Sequence, residues 1–93
     1  MVVNDQMTVK GLKLVGAQIR AARALLRWSA DDLARRAMVG INTVRRAEIS
    51  ETETSLTAAN EAAIRRAFES AGVEFIPENG HGPGVRLGKP LGS

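Results

Sequence analysis

The 93-residue chain has no cysteine and no tyrosine, and its aromatic residues are one tryptophan and two phenylalanines. Without cysteine there is no disulfide framework, no thiolate nucleophile and no cysteine-ligated zinc site. Histidine is nearly as scarce. His81 stands alone in a glycine-rich stretch with Glu78 as its one nearby donor, too few ligands for a metal, so it reads as a surface side chain. No nucleophile, base and orienting group can be assembled, so the chain reads as a non-enzyme with no cofactor and no metal. No apolar run approaches the roughly 20 residues that span a bilayer, and Met1 to Lys13 lacks the layout of a signal peptide. The expectation is a cytoplasmic protein with no membrane partner. There is no repeat and no room for an effector domain, so no small-molecule ligand is expected.

What is present is an ordinary globular composition, 44% apolar and 25% charged, in a length that suits one small domain. The charge is unevenly placed. Residues 10–46 hold nine Lys/Arg against two Asp, a net +7, whereas residues 47–93 hold four against seven Glu, a net −3. Charge alone fits solvated helix faces, but a one-sided positive field is also the footprint of a polyanion binder.

The most informative stretch runs from Leu33 to Glu48. Leu33, Ala34 and Ala37 recur at helical spacing, and Val39, Val44 and Ala47 repeat the inward pattern after a short turn. Ile41, Asn42, Arg45 and Arg46 occupy the outward positions of the second segment. Two short helices packed through small residues, with amide and guanidinium groups outward, read as a helix-turn-helix.

The rest of the chain organises around that unit. Residues 1–15 read as a flexible N-terminal arm and 16–72 as the helical domain. The segment Ala17 to Arg27 is rich in strong helix formers, with Ile19, Ala22 and Leu26 as its buried stripe. Trp28 is expected to plug the gap between helices. Ser29 and Asp32 have the spacing of a capping box, and Asp31 with Asp32 suits the positive end of a helix. The third helix is expected over Ile41 to Ile49. Thr57 caps a fourth over Ala58 to Ala71, with Ala59, Ala62, Ala63, Ile64, Ala67 and Phe68 available to the core and Gly72 as its terminator. Residues 73–88 read as a strand pair, Val73 to Ile76 and Val85 to Leu87, around a glycine-rich loop. Such a pair is marginal alone and must pack on the helices or on another subunit. Residues 89–93 read as a tail.

These residues resemble the lambda-repressor-like, or XRE-type, helix-turn-helix regulators of bacteria and phages. The resemblance covers roughly Ala17 to Ala71 and rests on Ile19-Arg20, Arg23, Ser29, Leu33-Ala34, Ala37-Met38-Val39-Gly40, Thr43-Val44 and Glu48. The continuation Ala71-Gly72-Val73-Glu74-Phe75-Ile76-Pro77-Glu78-Asn79-Gly80 is similar to the tail of small alphaproteobacterial members. The implied fold is a mainly α, four-helix domain with a short C-terminal hairpin. The implied function is sequence-specific binding of double-stranded DNA as a homodimer, with the helix from Ile41 in the major groove. Ile41, Asn42, Arg45 and Arg46 would then read bases, and Lys13, Arg20, Arg27 and Thr43 would contact phosphates. Arg23 and Glu48 would form the family's buried ion pair. Three positions depart from the pattern: Met38 stands at the turn glycine, Gly40 at a Ser/Thr cap and Ala30 where Gln is common. The alternative is a protein-binding adaptor, antiactivator or antitoxin that uses the same scaffold, its C-terminal strands adding to a partner's sheet.

Overall fold

The computed structural model describes residues 13–88. Among the described residues there are four helices followed by two strands: α1 Gly16–Leu26, α2 Ala30–Ala37, α3 Ile41–Glu48, α4 Ala58–Ser70, β1 Val73–Ile76 and β2 Gly84–Leu87. This is a small, mainly α domain with one antiparallel hairpin. The expected elements are all present, with helix ends shifted by a residue. The proposed arm, residues 1–12, and tail, residues 89–93, lie outside the described residues.

Local chemistry sets the helix ends. Ser29 Oγ accepts the Asp32 N–H at 3.0 Å while Asp32 Oδ2 accepts the Ser29 N–H at 2.9 Å, so the expected capping box starts α2. The Ser29 N–H and hydroxyl, with Arg35 beyond them, hold the Asp32 carboxyl below its ordinary value. Thr57 Oγ1 accepts the Asn60 N–H at 3.1 Å and opens α4. At the other ends, α1 and α2 close in the same way. Trp28 N–H reaches back to Arg23 O and Val39 N–H to Ala34 O, with Arg27 and Met38 in left-handed backbone. Glycine is the usual residue at such a position. The motif flags Met38, but nothing in the sequence singles out Arg27.

The core is continuous across all the helices and reaches the hairpin. Phe68, Leu14, Ile19, Leu33, Ile64 and Val44 are its largest fully buried side chains. The inward residues Leu33, Ala34, Ala37, Val44 and Ala47 are buried as their spacing requires. Val39 and Leu26 are half-buried against this core. Two expectations need correction. Leu14 is 1% exposed, its carbonyl accepting the Thr54 N–H at 3.1 Å, so the folded unit begins before residue 16 and residues 13–15 do not belong to a loose arm. Ala59 and Ala62 face solvent, because Ile64 and Phe68 set the inward stripe of α4.

All three aromatic residues form one stack. Trp28 lies nearly parallel to Phe68 at 5.4 Å between centroids, and Phe75 meets Phe68 edge-on at 5.8 Å. Arg36 covers Trp28 at 4.6 Å and Arg65 covers Phe75 at 5.3 Å, so a guanidinium closes each end. Trp28 fills the gap between helices as expected.

The hairpin pairs within the chain, Val73 opposite Leu87 and Ile76 opposite Gly84. Gln18, buried in α1, fastens it. Its Nε2 donates to Ile76 O at 3.2 Å and to Gly84 O at 3.0 Å, while its Oε1 accepts the Val15 N–H at 3.0 Å. The strand pair therefore resolves its marginal stability by packing on the helices.

Candidate functional site

The geometry of α3 follows from its own sequence. Val44 and Ala47 turn inward, and the helical period then carries Asn42, Arg45 and Arg46 to one exposed face. Ile41 and Thr43 flank that face and are half-buried, with Ile41 packed in part against the core. Gly40 precedes the helix and offers no side-chain cap, while Arg45 and Arg46 in the last turn suit its negative end. The outward surface is thus an amide that can donate and accept, two guanidinium groups that donate, and part of an apolar isoleucine.

Three contacts from α1 fix the far end of this helix. Arg23 Nε donates to Glu48 Oε2 at 2.5 Å and Arg23 Nη2 to Glu48 Oε1 at 2.9 Å, a bidentate pair with Glu48 buried. The bond to Glu48 outweighs desolvation and raises the already high Arg23 pKa. Arg23 Nη1 also donates to Trp28 O at 2.9 Å, so one guanidinium joins the turn after α1 to the end of α3. Arg20 Nη1 donates to the Glu48 carbonyl, satisfying one of the free carbonyls at the α3 terminus. Gly16 lies directly on that terminus. A Cβ at residue 16 would sit 2.5 Å from Ser50 O, 2.6 Å from Ala47 O and 2.8 Å from Glu48 O. Only glycine allows so close a backbone approach.

The remaining expected residues are dispersed. Lys13 is occupied within the protein, its Nζ 3.5 Å from Leu56 O and 3.9 Å from Glu61 Oε1. Arg27 is exposed at the closing turn of α1. Thr43 and Arg46 border a polar hollow of about 160 Å³ with Ser55, Thr57 and Asn60, next to the N-terminus of α4. The structure therefore groups Asn42, Arg45, Arg46, Ile41 and Thr43, joins Arg23 to Glu48, and leaves Lys13 and Arg27 apart.

Two residues that hold the fold together, Gln18 and Glu61, are not singled out from the sequence alone. Gln18 holds the hairpin, and Glu61 accepts the Leu14 N–H at 2.6 Å, tying the start of the folded unit to α4. A polar residue beside the buried Ile19 was the one signal for Gln18. Among the described residues there is no group of three or more His, Cys, Asp or Glu placed to hold a metal ion. No helix among them is long and apolar enough to cross a membrane. No known family model matches the chain, and no curated protein matches it.

Proposed function

We propose that the chain is a sequence-specific DNA-binding transcriptional regulator of the lambda-repressor-like helix-turn-helix class. In this reading α2 and α3 form the helix-turn-helix, and α3 enters the major groove. The observation that carries it is the exposed face of Asn42, Arg45 and Arg46 on a short helix whose end is held by the Arg23–Glu48 pair. An amide can bond an adenine edge in a bidentate manner and a guanidinium a guanine, while the positive front half of the chain supplies attraction to phosphate. Ile41 would offer its outward part to a thymine methyl. Arg27 and Thr43 are the phosphate candidates with freedom to act, since Lys13 and Arg20 already bond groups of the protein. A homodimer would place two α3 helices on half-sites about one helical turn apart.

The test is a gel shift of the purified chain with the DNA upstream of its own gene at low salt. The expected result is a discrete shifted band that Asn42→Ala and Arg45→Ala abolish and that weakens steeply with added salt. No shift at low salt overturns the reading. A second reading, a protein-binding adaptor, antiactivator or antitoxin, draws support from the exposed Met38, Ile49 and Leu87. A stoichiometric protein partner with no enriched DNA site would favour it.

A further inference from the structure

We propose that the cleft between the end of α2 and the second half of α4 is a docking site for an acidic, leucine-bearing peptide segment of another protein. The cleft encloses about 420 Å³. It is lined by Trp28, Ala63 and Ala67 together with Arg36 from α2, Arg66 from α4 and the exposed Met38. None of Ile41, Asn42, Arg45 or Arg46 lines it, so the proposal stands apart from any role of α3.

Three observations point to a ligand. Met38 is 89% exposed and holds left-handed backbone, so its side chain serves neither core packing nor an easy turn. A flexible thioether at the rim of a cleft is well suited to contact an apolar partner. Next, Arg36 and Arg66 line the same cleft with no carboxylate partner among the described residues, Arg36 lying over the Trp28 ring. Finally, no acidic residue lines the cleft. Arg36 lies over the Trp28 ring, and its guanidinium and that of Arg66 border the surface of Ala37, Ala63 and Ala67, an arrangement complementary to carboxylates flanking a leucine-type side chain. A nucleic-acid phosphate would satisfy the arginines but gain nothing from Trp28, Ala67 or Met38.

Trp28 is the only tryptophan in the chain, so it reports occupancy directly. The experiment titrates the full chain with a tryptophan-free synthetic peptide of leucine and glutamate, read by tryptophan emission and by calorimetry. The expected result is a saturable change in emission that high salt weakens, with affinity reduced about tenfold in Arg66→Ala. Met38→Gly, which relieves the backbone and keeps the fold, is expected to reduce affinity as well. Circular dichroism confirms that each variant is folded. The proposal is overturned by no saturable change, by equal binding of a leucine–lysine peptide, or by unchanged affinity in folded Arg66→Ala and Met38→Gly. It is also overturned if Arg36→Ala with Arg66→Ala weakens binding to duplex DNA of arbitrary sequence while peptide affinity stays the same.

Discussion

Arg23 grips both carboxylate oxygens of Glu48, at 2.5 and 2.9 Å, and so joins the middle of α1 to the last residue of α3. Glu48 is buried, so removing Arg23 strands its charge out of water, and removing Glu48 leaves the half-buried Arg23 guanidinium without its carboxylate. Glu48→Leu or Arg23→Met alone is expected to cost about 3 kcal/mol, and the double variant less than the sum of the two. Urea unfolding of the four proteins in a double-mutant cycle checks this. Additive losses would mean that the pair contributes no coupling.

Gly16 lets α1 start against the carbonyls that end α3. The atoms a Cβ at residue 16 would meet are all backbone oxygens, which cannot swing away as a side chain would. Gly16→Ala is expected to destabilise the domain by about 2 kcal/mol or more through overpacking. Gly40→Ala is the control, because its nearest neighbour would be Thr43 Oγ1 at 3.8 Å. Thermal unfolding of both variants separates close approach from a general effect of replacing glycine.

Met38 closes α2 at φ 60° with its side chain in solvent. Glycine would remove the left-handed penalty, and Met38→Gly is expected to gain about 1 kcal/mol, a rise in Tm of several degrees. A fall in Tm would show that the methionine contributes a contact to the folded state.

Gln18 supplies the amide that holds Ile76 O and Gly84 O. Gln18→Leu leaves those carbonyls and the Val15 N–H without their partner, at an expected cost of about 2 kcal/mol. Because the loss falls on one unit, amide hydrogen exchange should accelerate in residues 73–76 and 84–87 before it does in α2 or α3. Uniform acceleration would show that the hairpin does not open by itself.

Asp32 has a carboxyl held below its ordinary value by the Ser29 N–H, the Ser29 hydroxyl and Arg35. A lowered carboxylate pKa adds stability that is complete above the unfolded value of about 3.9 and is lost as pH falls through the folded value. Carboxyl NMR titration should place Asp32 below free aspartate, and Ser29→Ala should move it upward. Parent and Ser29→Ala titrating alike would exclude the Ser29 hydroxyl as a cause and leave the backbone N–H and Arg35.

Much of the local structure was legible in the chain alone. The spacing of Leu33, Ala37, Val44 and Ala47 determined which sides of α2 and α3 turn inward, and therefore which side carries Asn42, Arg45 and Arg46. Ser29 with Asp32, Thr57 and Gly72 marked helix ends, because their chemistry acts within a few residues. Arg23 and Glu48 could be paired only through resemblance to a family. Tertiary structure alone decided that Leu14 belongs to the core, that Gln18 carries the hairpin, that Lys13 spends its charge on Leu56 O and Glu61, and that Gly16 permits backbone contact with α3. It also decided that Arg36 and Arg66, on different helices, face one cleft. The division has a physical cause: periodicity encodes which face of a helix avoids water, whereas a buried amide or a close glycine depends on partners far along the chain, which no local pattern specifies.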